Sequence, residues 1–273
     1  MKIILLPTDF SKPSLNAIEY AVEICKFTKS KLILFNVFSV PFTAADTALA
    51  LSINEIEKNI LVELNNLKKG IYLKHGNKLE IECKCACGFT LEEINLFAEK
   101  NNVDLIVTGI EGAGYLSEKI FGSLTTQLIQ KAKFPVLAID KNVIFKSIKK
   151  IVLACDNIEL LNKSILKPVT KIAHLFQSQV YLLNVVHEIE TPTEQRDLIE
   201  AVMMDNILEG APYSVHYSKN DDVIEGINNF VCEQQIDMVV MIPKTHSFFK
   251  NIFIEPRTKK MAFHTKIPLL TLH

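Results

Sequence analysis

Apolar and polar positions along this chain follow two periods in turn. MKIILL (1–6) is an unbroken apolar run that stops at PTDFS, and it predicts a strand. PSLNAIEYAVEICKFTK (13–29) carries apolar residues at helical spacing, with Leu15, Ile18, Ala21, Val22 and Cys25 toward one side. KLILFNV (31–37) is a second continuous strand, and residues 47–69 form an amphipathic helix. KLEIECKCA (78–86), VDLIVTG (103–109) and FPVLAID (134–140) read as further strands, with helices over TLEEINLFAEKN (90–101) and SLTTQLIQKAK (123–133). Strands apolar on both faces and separated by helices predict a parallel sheet covered on both sides.

The pattern then restarts. KKIVLACDN (149–157) echoes MKIILLPTDF, and QVYLLNVV (179–186) echoes KLILFNVF, with Asn184 on Asn36 and Val185 on Val37. QIDMVVM (235–241) echoes NVDLIVT, and TKIPLLTLH (265–273) echoes AKFPVLAID. Asp104 to Pro135 spans the same interval as Asp237 to Pro268, whereas Asp9 to Asp104 exceeds Asp156 to Asp237 by fourteen residues. An internal duplication is expected, with its boundary near 141–147 and the length difference in the middle crossover. The expected architecture is α/β: two tandem domains, 1–143 and 148–273, each an open five-stranded parallel sheet with helices on both faces.

Composition narrows the function. A chain of 273 residues with 48% hydrophobic content can fill two ordinary domains, and a formal net charge of −1 provides no field to gather nucleic acid or an anionic membrane. The basic cluster Lys146, Lys149 and Lys150 is short and reads as a solvated strand entrance. The apolar start is too short for a signal-peptide core, and no run reaches the roughly 18 apolar residues of a membrane span. Six cysteines without CxxC pairs and no secretory signal point to free thiols in a reducing cytoplasm. Cys83, Cys85 and Cys87 alternate, which places them on one face of a strand. A soft metal or a redox role is open to them, and so is plain packing beneath a helix.

The stretch DLIVTGIEGAGYLSEKIFGS (104–123) holds four of the nine glycines: Gly109, Gly112, Gly114 and Gly122. In open parallel sheets ligands bind beyond the carboxyl ends of strands, where strand order reverses. This loop leaves the fourth strand there, and Asp9 follows the first. Glycines let main-chain N–H groups approach a ligand, and the helix start after Gly122 and Ser123 adds further donors. The arrangement suits a phosphate, with the Asp9 carboxylate offered to a ribose hydroxyl. Neither GxxxxGK[ST] nor GxGxxG is present.

The spacing Gly109-x2-Gly112-x9-Gly122-Ser123, arriving with PTDFS, KLILFNV, NVDLIVTG and FPVLAI, resembles the ATP-binding branch of the universal stress protein family. The whole chain resembles a tandem member, with both halves included. The resemblance implies that Asp9 contacts the adenine-ribose and that the Val37 backbone recognises the adenine edge. Thr108 and Gly109 then border adenine and ribose, while Gly112, Gly122, Ser123, Leu124 and Thr125 cradle the phosphates. Thr8 and Ser11 stand at the rim. The ligand implied is ATP or another adenine nucleotide, with Mg2+ as an open companion. The resemblance also implies antiparallel pairing of the last strands, VLAI with LLTL, as an intramolecular pseudo-dimer, with a homodimer left open. Glu111 departs from the pattern, a carboxylate inside the phosphate loop that either faces water or favours fewer phosphates.

Carried into the second half, the motif falls on Ile242, Thr245, Glu255 and Pro256. The first two restore side chains, the third adds negative charge, and proline removes an N–H. No nucleotide is expected there. MIPKTHSFFKNIF (241–253) gathers Lys244, His246, Phe248, Phe249, Lys250 and Phe253, either as a partner surface or as phenylalanines closing an empty crevice. His246 and His264 lack a third zinc ligand at recognisable spacing. Three functions follow. The chain is a nucleotide-binding stress or signalling protein without catalytic residues or a resident metal; or a slow ATPase using Glu111 to orient water; or a scaffold acting on partners through its second domain.

Overall fold

The computed structural model describes residues 1–40, 46–110, 124–155, 161–186, 204–242 and 267–273, and over 46–52 the backbone alone. They fall into two compact units. The first takes in 1–110 and 131–141, and the second takes in 124–130, 142–155 and the described residues that follow.

In chain order the first unit runs β1 (Ile3–Pro7), α1 (Lys12–Thr28), β2 (Lys31–Phe38), α2 (Asp46–His75), β3 (Ile81–Cys87), α3 (Thr90–Lys100), β4 (Leu105–Ile110) and β5 (Val136–Asp140); α4 (Leu124–Lys131), which lies between β4 and β5 in the chain, groups with the second unit up to Gln130. The strands of the first unit are parallel in the order β3-β2-β1-β4-β5. Ile4 to Leu6, Leu32 to Phe35, Leu105 to Val107 and Val136 to Ile139 are all buried, as the unbroken apolar runs predict. Phe35, fully buried, stacks on Phe97 of α3 with ring centroids 4.4 Å apart.

α1 opens at Ser11, whose side chain accepts from the Ser14 N–H, with proline in its first turn, and closes on Lys29 in the left-handed conformation. Ile18, Ala21, Val22 and Cys25 are buried as expected, but Leu15 is 37% exposed. α2 runs six residues beyond the expected end at 69. Gly70 does not stop it, because Ile71 is buried and His75 is pinned at the helix end. There His75 Nε2 meets Glu19 Oε2 of α1 at 2.9 Å, and Lys74 Nζ reaches the same oxygen at 2.9 Å.

This anchor is sensitive to acid. Burial raises the pKa of Glu19, but hydrogen bonds from Lys74 and His75 outweigh it and hold the carboxyl below its ordinary value of 4.5. Such a group stabilises the fold fully above its unfolded value, and the contribution fades as pH falls through the folded one. Glu19→Gln is therefore expected to flatten the acid limb of stability. Its urea midpoint should fall less than that of the parent between roughly pH 5.5 and 3.5, and equal slopes would remove the anchor from the account.

The second unit runs β6 (Lys150–Ala154), α5 (Lys163–Phe176), β7 (Gln179–Val186), a short helical stretch at 204–208, β8 (Tyr213–Lys219), α6 (Val223–Gln234), β9 (Met238–Met241) and β10 (Leu269–Thr271). Its parallel order, β10-β9-β6-β7-β8, repeats the winding of the first. Lys149 and Lys150 do more than line a solvated entrance. Their ammonium groups cap helix ends, Lys149 Nζ donating to Phe176 O and Lys150 Nζ to Gln234 O, each at 2.7 Å.

Each unit contains, within itself, the same set of hydrogen bonds that secondary structure alone does not require. Asp104 Oδ2 accepts from Lys2 N and Ile3 N at 2.7 and 3.1 Å, and Asp237 Oδ2 accepts from Lys149 N and Lys150 N at 2.8 and 2.9 Å. Ser30 Oγ donates to Met1 O, and Ser178 Oγ donates to Ile148 O. Thr8 N donates to Phe35 O at 2.8 Å, and Cys155 N to Leu183 O at 3.0 Å. Left-handed Lys29 and Asn102 recur as left-handed Gln177 and Gln235.

Candidate functional site

Winding reverses at β1. From it the chain steps outward through β2 to β3, and β4 then returns to lie along the other side of β1. The crevice of an open parallel sheet lies at such a reversal, beyond the carboxyl ends. Asp9 follows β1 and Gly109 lies near the end of β4, so the two expected neighbours flank one crevice.

The turn from β1 into α1 is fastened by its own side chains. Thr8 is buried. Its N–H donates to Phe35 O, its carbonyl accepts from Asn36 Nδ2 at 2.8 Å, and its hydroxyl lies 2.9 Å from Ser14 Oγ. The same hydroxyl accepts the Phe10 N–H at 3.1 Å, while Phe10 stands at φ 62°, a conformation bulky residues rarely adopt. Ser14 Oγ also donates to Ser11 O at 3.0 Å. Thr8 thus shapes the site from beneath.

Asp9 is exposed, and Oδ1 accepts the Ser11 N–H at 3.1 Å and the Ser11 hydroxyl at 2.6 Å. Partial burial pushes its pKa up, but the Ser11 hydrogen bonds prevail and hold the carboxyl below its ordinary range. It is therefore a fixed anion at neutral pH, with acceptor capacity left for a hydroxyl from outside.

Gly109 has a packing role of its own. A Cβ there would run into the carbonyl group of Pro13 and come within 2.7 Å of Ser14 N. Glycine thus lets the end of β4 lie against the first turn of α1, the turn that carries Ser11 and Ser14. Thr108, beside it, is buried and pairs with Ala138 of β5.

Val37, half-buried, lies past the last β1–β2 pair, Pro7 with Phe35, and pairs with Ala86 of β3. Residues of a parallel strand turn their main-chain groups to one neighbour and then the other. Phe35 turns its carbonyl to β1, so Val37 presents its N–H and C=O on the same side, above the point where β1 ends. A flat heterocycle with adjacent donor and acceptor groups suits that edge.

Leu124 and Thr125 open α4, and Thr125 is buried. Gly112, Gly122 and Ser123 lie outside the described residues, as do Glu111, Asp156, Thr245, Glu255, Pro256 and the Lys244–Phe253 group. Two residues of the site escaped the sequence reading, Asn36 and Ser14. The available signal was Asn36 itself, an amide within an apolar strand, repeated as Asn184. Among the described residues no group of His, Cys, Asp and Glu is placed to hold a metal ion, and no helix is long and apolar enough to cross a membrane.

The chain is similar to known proteins. Residues 1–140 match the model of the universal stress protein family. Universal stress protein MJ0531 of Methanocaldococcus jannaschii is 34% identical over 143 residues, covering 51% of this chain and 82% of that protein. Universal stress protein MJ0577 of the same organism is 28% identical over 154 residues, covering 51% and 95%. The crystal structure of a universal stress protein from Archaeoglobus fulgidus matches over 98% of this chain and 95% of its own, with a TM-score of 0.69 at 17% identity, a likeness of fold. The chain belongs to the universal stress protein family.

Proposed function

We propose that the N-terminal half of the chain binds an adenine nucleotide, ATP, ADP or AMP, with or without Mg2+, and that occupancy is passed to protein partners in a stress or signalling response. The observation that carries this reading is the Asp9 turn, a pinned carboxylate at the winding reversal, beside a glycine that admits no side chain. Asp9 accepts from the ribose, the Val37 main chain reads the adenine edge, and Thr108 and Gly109 line the crevice. Gly112, Gly122, Ser123, Leu124 and Thr125 take the phosphates through main-chain N–H and hydroxyl groups.

The chain is on this reading a tandem protein, with domains 1–143 and 148–273. The hydrogen bonds repeated within each support a duplication. The second domain has given up the nucleotide. Ile242 follows β9 where Gly109 stands in β4. Lys12 opens α1, and the corresponding position (12 + 147) is 159, yet α5 opens at Lys163, one turn later. On this reading the protein binds its ligand and at most hydrolyses it slowly, with Glu111 placed in the sequence to orient water. Acting through the second domain alone, with nucleotide incidental, is the rival.

Thermal melting with ATP, ADP, AMP or no ligand separates the two. At a concentration a hundredfold above Kd, a site of this kind stabilises the fold by about 2.7 kcal/mol. At least one nucleotide is expected to approach that figure, and no shift with any of the three would favour the rival.

A further inference from the structure

The nucleotide reading uses none of the six cysteines, and three of them share one strand. Cys83, Cys85 and Cys87 occupy alternate positions of β3, the edge strand of the first sheet, and all are free thiols. Cys83 and Cys85 are half-buried, with Cys85 Sγ 3.9 Å from the Glu57 carbonyl of α2, whereas Cys87 ends the strand and is exposed. Cys25 is out of play, since burial pushes its thiol to about 12. The β2–β3 register sets Cys85 opposite Asn36 and Cys87 opposite Phe38, so that Ala86 between them is the partner of Val37. Asn36 in turn holds the Thr8 carbonyl beneath Asp9. The last two thiols of β3 therefore straddle the point where the adenine-reading segment is paired.

We propose that Cys85 and Cys87 form a disulfide switch on the nucleotide site, closed by a small-molecule disulfide and reopened by a thiol. The switch rests on the reading of Val37 given above. Cys87 is the accessible thiol and reacts first. It gives its proton to water, and its sulfur attacks one sulfur of the small disulfide. The small S–S bond breaks, a mixed disulfide forms on Cys87, and one small thiolate leaves. Cys85, deprotonated in turn, attacks the Cys87 sulfur and expels the second small thiolate. Two protein thiols are oxidised, one small disulfide is reduced, and the two released protons end on its thiols.

Geometry makes this closure a switch instead of a brace. Alternate Cα atoms of a strand stand about 6.6 Å apart, near the upper limit for a disulfide, and their side chains point in parallel. Closing the bond requires the chain to leave extended geometry at Ala86. The strand can do so at its end, next to Gly88, but not at Cys83, which pairs with the fully buried Leu34. Burial also raises the Cys83 and Cys85 thiols above their usual range, consistent with Cys87 as the initiating sulfur. A bond closed under strain is readily reduced, as a reversible control requires.

The test uses the full chain, reduced and then exposed to glutathione disulfide. Intact mass with disulfide mapping, Kd for ATP and the amide resonances of Val37 and Ala86 are then read. The expected result is a loss of about 2 Da mapped to Cys85–Cys87. The Val37 and Ala86 amides shift, affinity weakens about tenfold, and dithiothreitol reverses all of it. Cys83→Ser should behave as the parent, Cys87→Ser should keep its affinity under oxidation, and Cys85→Ser should stop at the glutathione mixed disulfide on Cys87 without the 2 Da loss. A bond formed elsewhere, no bond at all, or a mapped bond that leaves affinity and both amides unchanged overturns the proposal. A reduced protein that binds no nucleotide overturns the function proposed above, and the mapped bond and the two amides then decide whether Cys85 and Cys87 reshape the Val37 segment.

Discussion

Gly109→Ala is expected to lower the stability of the first unit by about 3 kcal/mol and to abolish nucleotide binding with it. The added methyl meets main chain, the Pro13 carbonyl and the Ser14 nitrogen, which cannot rotate away as a side chain can. Relief requires moving either the end of β4 or the first turn of α1. β4 is held by β1 on one side and β5 on the other, so α1 must give. Its first turn carries Ser11 and Ser14, and through them the carboxylate of Asp9 and the hydroxyl of Thr8. Packing and binding thus fail together.

The companion change is Gly70→Ala, in the interior of α2, where an added methyl meets nothing within 4 Å. Alanine there should raise stability by about 0.5–1 kcal/mol through helix propensity and a less flexible unfolded chain. Urea unfolding of the two variants beside the parent measures both. Equal and small effects would mean that the close approach at Gly109 is not rigid, and the account of the turn would fail with it.

These two glycines also mark where sequence reading succeeds and where it stops. The strands were legible because both faces of each central strand are buried, so that Ile4 to Leu6 or Val136 to Ile139 must be apolar without interruption. The repeated winding was legible through intervals such as Asp104 to Pro135, which the structure explains by the paired contacts of Asp104 and Asp237 with the strand beside each. β8 was not placed. It is an edge strand, YSVHYSK, in which exposed Val215 and Tyr217 alternate with Ser214, His216 and Ser218, so neither face reads as core. The amphipathic pattern of α2 ends at 69, whereas the burial of Ile71 and the anchoring of His75 carry the helix on to 75. Helical spacing puts Leu15 on the side of Ile18 and Cys25, but the first turn of α1 leaves it partly in water.

For the site, Asp9 and Gly109 announced themselves by residue type and position. Asn36 and Ser14 did not, because their work is to hold the Thr8 carbonyl and hydroxyl, and that pairing exists only once the turn has folded. Gly109 was noticed for the approach of a ligand, yet the contact the structure displays is with a helix. The two roles are compatible, since a turn held this closely presents Asp9 in one place.

The variant that isolates binding from folding is Gly122→Glu, which brings into the first half of the sequence the residue that the second half carries at Glu255. A carboxylate at the head of the segment leading into α4 would repel a nucleotide's phosphates and displace main-chain donors. Losing several such hydrogen bonds, at about 0.5–1.5 kcal/mol each, weakens binding on the order of a hundredfold. Gly122→Ala brings the side chain without the charge and should cost less, so the difference between the two variants reports the electrostatic share. Far-ultraviolet circular dichroism and the urea midpoint of the ligand-free protein should stay at parental values, because none of the fastenings of the Asp9 turn involves this position. Calorimetric titration with ATP decides the matter. Parental affinity in Gly122→Glu would mean that the phosphates lie elsewhere. An affinity that collapses in a folded protein would leave Asp9 and Val37 holding a nucleoside whose phosphates have lost their cradle, the condition ascribed above to the second half.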